Sequence, residues 1–333
     1  MDSPYSPLEF ALLNDWQREF PLVPRPFAAI AADAGTDEAA VLAALCRLRE
    51  RGAVSRVGAV FAPRRVGAST PAAIAAPAAR IEEVAERISA QPEVNHNYQR
   101  EHELSLWFVA AADDEAALAA VLADIERDTG CAVMSLPLER EYHIDLGFDL
   151  RSGHKRHASG PGVAAREPDA REKRLIAALA GGGELVGRPF RRLGDAAAMD
   201  EDEVIARIAG WLDEGVVKRF GVVVRHHELG FRANAMVVFD IADAEVDAAG
   251  ERLAAEPGVT LCYRRARHLP RWPYNLYCMV HGRNREQTLA LLNAAIAGAG
   301  LGERPRQVLF SRRRFKQTGA RYFRPLEAPA DGR

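Results

Sequence analysis

The sequence predicts an α+β protein: a tandem duplication of a winged helix-turn-helix plus ferredoxin-like (βαββαβ) unit. Two observations carry this: an internal repeat at constant offset, and the same order of periodicities in both copies. Leu22-Val23-Pro24-Arg25-Pro26-Phe27 recurs as Leu185-Val186-Gly187-Arg188-Pro189-Phe190, an offset of 163 residues. In that register Asp37-Glu38 falls on Asp200-Glu201, and Gly52-x-Val54-x-Arg56-x-Gly58 falls on Gly215-x-Val217-x-Arg219-x-Gly221. After a two-residue insertion, Tyr98-x-Arg100 matches Tyr263-x-Arg265.

Within each copy, early helices lead to an amphipathic one with apolar spacing Val41, Leu42, Leu45, Leu48, or Val204, Ile205, Ile208, Trp211. A glycine ends it and a short β segment follows, Ala53 to Phe61 or Val216 to Val224, the order of a winged helix-turn-helix. The remainder alternates β-α-β-β-α-β. In copy two, strands are expected at Ala233–Ile241, Val259–Arg267, Tyr274–His281 and Arg306–Arg314. Helices are expected at Glu245–Glu256 and Arg285–Ala297, and the whole reads as a ferredoxin-like sandwich. The expected domains are 1–60 and 61–150 for copy one, a linker 151–169, 170–224 and 225–325 for copy two, and a tail 326–333. Tandem units would let their sheets pair as a dimer does, with non-identical faces.

The chain's 333 residues carry a net charge of −2, which argues against a protein built to grip polyphosphate. No apolar run reaches the ~18 residues of a membrane helix, and the start lacks the order of a secretory signal, so a cytoplasmic protein is expected. Cys46, Cys131, Cys262 and Cys278 are scattered, with no pair spaced for a metal knuckle. A DNA-reading helix presents basic or amide side chains at its N-terminus. Here those positions begin Asp37-Glu38 and Asp200-Glu201-Asp202-Glu203, which suit the helix dipole. The four carboxylates of copy two would face a polyanion, whereas Arg47, Arg49 and Arg51 later in the copy-one helix leave that copy open.

Chemistry concentrates in two strands that depart from plain apolar alternation. In Val94-Asn95-His96-Asn97-Tyr98-Gln99-Arg100, period two places Val94, His96, Tyr98 and Arg100 on one face, with His102 just beyond. The second stretch, Tyr263 to Asn275, carries Tyr263, Arg265, Arg267, Trp272 and Tyr274, but has Leu261 where copy one has His96. Arg binds carboxylates bidentately and stacks on π faces, so these residues describe a site for a large, flat, multiply anionic ligand. Trp107, Trp272 and Tyr274 are candidates to lie against its plane, and Arg312 and Arg314 add cations. A basic run at a strand end is more often a solvated surface, and a lone histidine more often structural.

Those segments, with Leu106-Trp107-Phe108, Tyr142-His143-Ile144-Asp145-Leu146-Gly147-Phe148 and Val224-Arg225-His226-His227-Glu228-Leu229-Gly230, are the basis of a resemblance. Trp272-Pro273-Tyr274-Asn275-Leu276 and Arg314-Phe315-Lys316 extend it. The chain resembles the sirohaem decarboxylases, relatives of the Lrp/AsnC regulators, in the fused two-part form of haem d1 biosynthesis. The resemblance implies removal of the C12 and C18 acetate carboxyls of sirohaem as CO2, giving 12,18-didecarboxysirohaem. It implies no cofactor beyond the iron-containing substrate, and companion homologous subunits or a homo-oligomer as partners. His96 is then the first candidate for proton donor, supported by Tyr98 or His102, with Arg100, Arg265 and Arg267 holding carboxylates. His226 is a second candidate, for proton transfer or as axial ligand of the substrate iron. The rival reading is a tetrapyrrole-responsive regulator using the same pocket.

Overall fold

The computed structural model describes residues 4–144, 147, 167–225 and 227–323. Copy one begins with α1 (Pro7–Asn14), α2 (Pro26–Asp33) and α3 (Glu38–Glu50), then β1 (Val54–Phe61). It continues with β2 (Ala68–Ile74), α4 (Ile81–Ala90), β3 (Val94–Arg100), β4 (Leu106–Ala112), α5 (Glu115–Thr129), β5 (Val133–Ser135) and β6 (Leu138–Ile144). Copy two repeats the order: α6 (Ala170–Ala180), α7 (Pro189–Ala197), α8 (Glu201–Asp213), β7 (Val217–Val224) and β8 (Ala233–Phe239). Its second half is α9 (Val246–Ala255), β9 (Val259–Arg265), β10 (Leu276–Gly282), α10 (Arg285–Gly298) and β11 (Arg306–Gln317). Among the described residues no helix is long and apolar enough to cross a membrane.

The local signals act as their chemistry requires. Pro26 and Pro189 open α2 and α7 at positions where a missing N–H costs nothing. Asp37 and Asp200 cap α3 and α8 by accepting from the Ala40 and Glu203 amides, each at 2.7 Å. Gly52 (φ +77°) and Gly215 (φ +69°) terminate those helices in the left-handed region. The acidic first turns are also tied down, Glu38 by Arg25 and Glu201 by Arg188.

Each helical unit supplies a single strand, and a lone strand leaves its backbone groups unpaired. Hence β1 and β7 pair antiparallel, with Gly58 opposite Gly221, so each copy's β segment completes the other's instead of forming a separate wing. One continuous core, including Leu45, Leu48, Ile176, Phe190, Ile208 and Trp211, then spans both helical units.

The remaining strands form one nine-stranded sheet in the order β5-β2-β4-β3-β11-β8-β10-β9-β6. Both copies keep the ferredoxin-like arrangement, β5-β2-β4-β3 and β11-β8-β10-β9, but their last strands are shared. The first half of β11 pairs with β8 and its second half with β3 of the other copy. This explains why β11 runs to Gln317, beyond the expected Arg314. In copy one the chain breaks at Leu136-Pro137, and β6 crosses to β9. Pro137 has no N–H with which to continue a ladder. Strands β5 and β6 stand at opposite ends of the sheet order, yet only those two residues separate them. Three virtual bonds reach at most about 11 Å, so the sheet curls until its edges nearly meet. Helices α4 and α5, and α9 and α10, cover the outside, leaving a lined interior.

Candidate active site

The interior of the curled sheet holds a cavity of about 580 Å³, within the range of small-molecule sites. Both copies line it: His96, Tyr98, Arg100, Trp107 and Val109 from copy one, and Asn234, Met236, Leu261, Tyr263, Arg265, Met279 and His281 from copy two. Arg312, Arg313 and Arg314 join from the shared strand β11.

A β-bulge in β3 sets which side chains reach it. Val94 pairs with Ala110 but His96 pairs with Val109, so one extra residue intervenes. Val94, expected on the face of His96, therefore packs outward with Ile88, Leu106 and Phe108 beneath the helices. Asn97 is anchored on that outer side, its amide donating to Ala85 O and Ser89 Oγ at 3.0 Å. His96, Tyr98 and Arg100 alternate inward, the imidazole lying nearly parallel to the tyrosine ring at 6.1 Å.

The cationic lining is the site's decisive feature. Arg100 and Arg265 are each 6% exposed, and among the described residues neither meets a carboxylate. Arg100 Nη1 donates to Leu309 O at 3.1 Å, while its buried Nε has no partner. Arg265 Nη1 donates to Leu136 O at 2.6 Å, and its guanidinium lies 4.2 Å from the Tyr263 ring centroid. Burial holds both guanidiniums below their ordinary pKa. An uncompensated buried cation is costly, and a polyanionic ligand would offset that cost. Burial, with Arg56 nearby, lowers His96 to about 4, so its imidazole is neutral at pH 7.

Over 94% of its length this chain is 47% identical to the "Siroheme decarboxylase NirDL subunit" of Paracoccus denitrificans (strain Pd 1222), covering 96% of that protein. The chain belongs to the sirohaem decarboxylase family. A family model, "Siroheme decarboxylase NirDL-like HTH domain", matches residues 9–54 and 172–217, and "AsnC-like ligand binding domain" matches 66–143 and 228–316. The single-copy "Siroheme decarboxylase NirL subunit" of Stutzerimonas stutzeri is 51% identical over 44% of this chain and 87% of its own length. Among solved structures, that of the siroheme decarboxylase NirDL in co-complex with an iron-uroporphyrin III analogue superposes with a TM-score of 0.68 at 27% identity. That match covers 95% of this chain and 94% of the other.

Against this sirohaem decarboxylase frame, the residues singled out in the sequence separate into two groups. His96, Tyr98, Arg100, Trp107, Tyr263, Arg265, Arg312 and Arg314 line the cavity. Arg314 is also paired there with Glu228 at 2.7 Å, and Arg312 is largely exposed near Glu101. Four others need correction, because local partners hold them outside the lining. Arg267 is taken up by Asp240, Asp243 and the carbonyls of Ile241 and Pro273. His102 Nδ1 accepts from the Leu104 amide at 2.9 Å, with its ring edge-on to Trp272. Trp272 is 1% exposed, donates to the Tyr277 hydroxyl at 2.6 Å and packs on Tyr274; the pair backs the wall behind Trp107. His226 lies outside the described residues. Among the described residues no group of His, Cys, Asp and Glu side chains could hold a metal ion.

Sequence reasoning missed His281, a cavity residue on β10. Its signal was present, since Tyr277, Met279 and His281 follow period two in an apolar strand. Thr260 Oγ1 lies 2.9 Å from His281 Nδ1 and donates to Met279 O at 3.0 Å. With the hydroxyl proton donated to the carbonyl, the oxygen is placed to accept from Nδ1–H.

Proposed function

We propose that this chain is a carboxy-lyase that binds sirohaem in the curled-sheet cavity and removes its C12 and C18 acetate carboxyls as CO2. The product is 12,18-didecarboxysirohaem. The observation that carries the reading is the pair of buried guanidiniums that meet no carboxylate among the described residues, facing a cavity that also holds His96. Arg100 and Arg265 hold and orient carboxylates of the substrate, and Trp107 and Tyr263 flank its plane. In each step the bond between the acetate methylene and its carboxyl breaks, and the electron pair spreads into the conjugated macrocycle, which acts as its own electron sink. A proton from His96 then completes a methyl group. Substrate carboxylates entering beside His96 favour its imidazolium, reversing the effect of burial, so donor capacity arrives with the substrate.

The iron belongs to the substrate, and no other cofactor is invoked. Companion subunits of the NirD and NirL type, or self-association, are the partners that fit, in the cytoplasm. A tetrapyrrole-responsive regulator gains no specific observation, because capping and ion pairing occupy the acidic N-termini of α3 and α8. Anaerobic incubation with sirohaem, followed by mass analysis of the pigment, tests the activity. Loss of two CO2 is expected. An unchanged pigment together with tight, salt-sensitive promoter binding would replace this reading with the regulator.

A further inference from the structure

The duplication places two related half-sites in the cavity, and their divergence is one-sided. In the first, inward residues form one row across four strands. Arg100 on β3 stands opposite Ser311 on β11, the Ser311 hydroxyl donates to Asn234 Oδ1 on β8 at 2.7 Å, and Asn234 pairs with His281 on β10. At the usual strand spacing this polar row spans roughly 14 Å along the sheet. The related row starts at Arg265 on β9, which stands opposite Leu138 on β6. Its remaining members come from copy one, where Ser69 pairs with Ala111 as Asn234 pairs with His281. The equivalence of Ala111 and His281 follows from register, since Tyr98 pairs with Trp107 as Tyr263 pairs with Tyr277.

Where the first half-site has His96, Ser311, Asn234 and His281, the second has Leu261, Leu138, Ser69 and Ala111. Tyrosine and arginine were kept in both, while His96 and His281 stand in one, and the third described imidazole of the lining, His227, lies beside Glu228, the partner of Arg314 opposite Tyr98. The Arg100 charge acts on His281 across this row, although that imidazole comes from copy two.

Resting on the decarboxylase reading above, we propose that both acetate carboxyls are removed at the Arg100–His281 half-site. The macrocycle is re-seated between the two steps, and the Tyr263–Arg265 half-site only holds carboxylates that are not reacting. At each visit one carbon–carbon bond breaks and one CO2 leaves. The electron pair stays with the methylene carbon and the macrocycle, and one proton arrives from the imidazole side. Among the described residues the Tyr263–Arg265 half-site has no imidazole to deliver that proton.

Single-turnover reactions with sirohaem, resolved by mass into pigments lacking no, one or two CO2, test this. His281→Gln, which keeps a hydrogen-bonding partner for Thr260, is expected to slow both losses at least tenfold, within the range lost with a proton-transfer group. Tyr263→Phe and Arg265→Gln are expected to raise KM while preserving the ratio of the two rates. Tyr263→Phe serves where the arginine variant does not fold. A half-site variant that performs the first loss at the wild-type rate and then stops would show one acetate assigned to each half-site, overturning the proposal. Wild-type protein that binds sirohaem and releases no CO2 would instead remove the decarboxylase reading itself.

Discussion

Replacing Arg100 by methionine separates a binding role from a structural one, because the two predict opposite signs. The guanidinium is buried, has one hydrogen bond to Leu309 O and meets no carboxylate among the described residues. Replacing even a buried ion pair by apolar side chains is often neutral or stabilising by about 1–4 kcal/mol, and a lone buried cation lacks the attraction that offsets its desolvation. Loss of the Leu309 hydrogen bond returns about 1 kcal/mol. The net expectation for the ligand-free protein is about 2 kcal/mol of added stability. With an unfolding entropy near ~2.1 cal/mol/K per residue, a chain of 333 residues should gain about 3 °C in Tm. Sirohaem affinity should fall at least ~30-fold, the loss of one charge-assisted contact of about 2 kcal/mol or more. Arg267→Met is the control. That guanidinium is committed to Asp240, Asp243 and two carbonyls, so its removal should lower Tm by a similar amount and leave affinity within about twofold. Differential scanning calorimetry and a pigment titration read both quantities. A Tm several degrees lower for Arg100→Met, with unchanged affinity, would refute the assignment of that arginine to the ligand.

Turnover of His96→Ala should fall at least ~100-fold with sirohaem binding intact; near wild-type turnover would remove His96 from proton transfer. Burial lowers both His96 and His281 to about 4, against an ordinary value of 6.5. The unfolded chain takes up these protons first as pH falls, so their contribution is complete above about 6.5 and is lost towards about 4. At most about 3 kcal/mol per histidine is at stake. Urea midpoints at pH 7.5, 6 and 5 should show a steeper decline for wild type than for the His96→Gln/His281→Gln double variant. Parallel declines would count against the buried neutral state. At Gly221 the Trp16–Gln17 backbone crosses β7 so closely that a Cβ would collide with the Trp16 carbonyl. Gly221→Ala should cost several degrees of Tm without changing the ratio of the two CO2 losses, as calorimetry beside the mass assay would show.

The sequence by itself determined the features that depend on local chemistry and on comparing the chain with itself. The repeat register exposed the duplication, helix caps and period-two strands gave the elements, and the Tyr-x-Arg pairs marked the strands that line the cavity. Those signals are local because capping, turn formation and alternation are decided within a few residues. Tertiary structure decided what depends on register between distant strands. The bulge that turns Val94 away from His96 shows only in pairing with β4. Arg267 and Arg265 are alike in sequence, and only their neighbours make one a clamp for acidic residues and leave the other, among the described residues, without a carboxylate. His281 became part of the site because β11 is shared between the copies and carries the polar row from β3 to β10. Strand pairing across hundreds of residues is fixed by how whole faces bury together, and no short window of sequence contains that information.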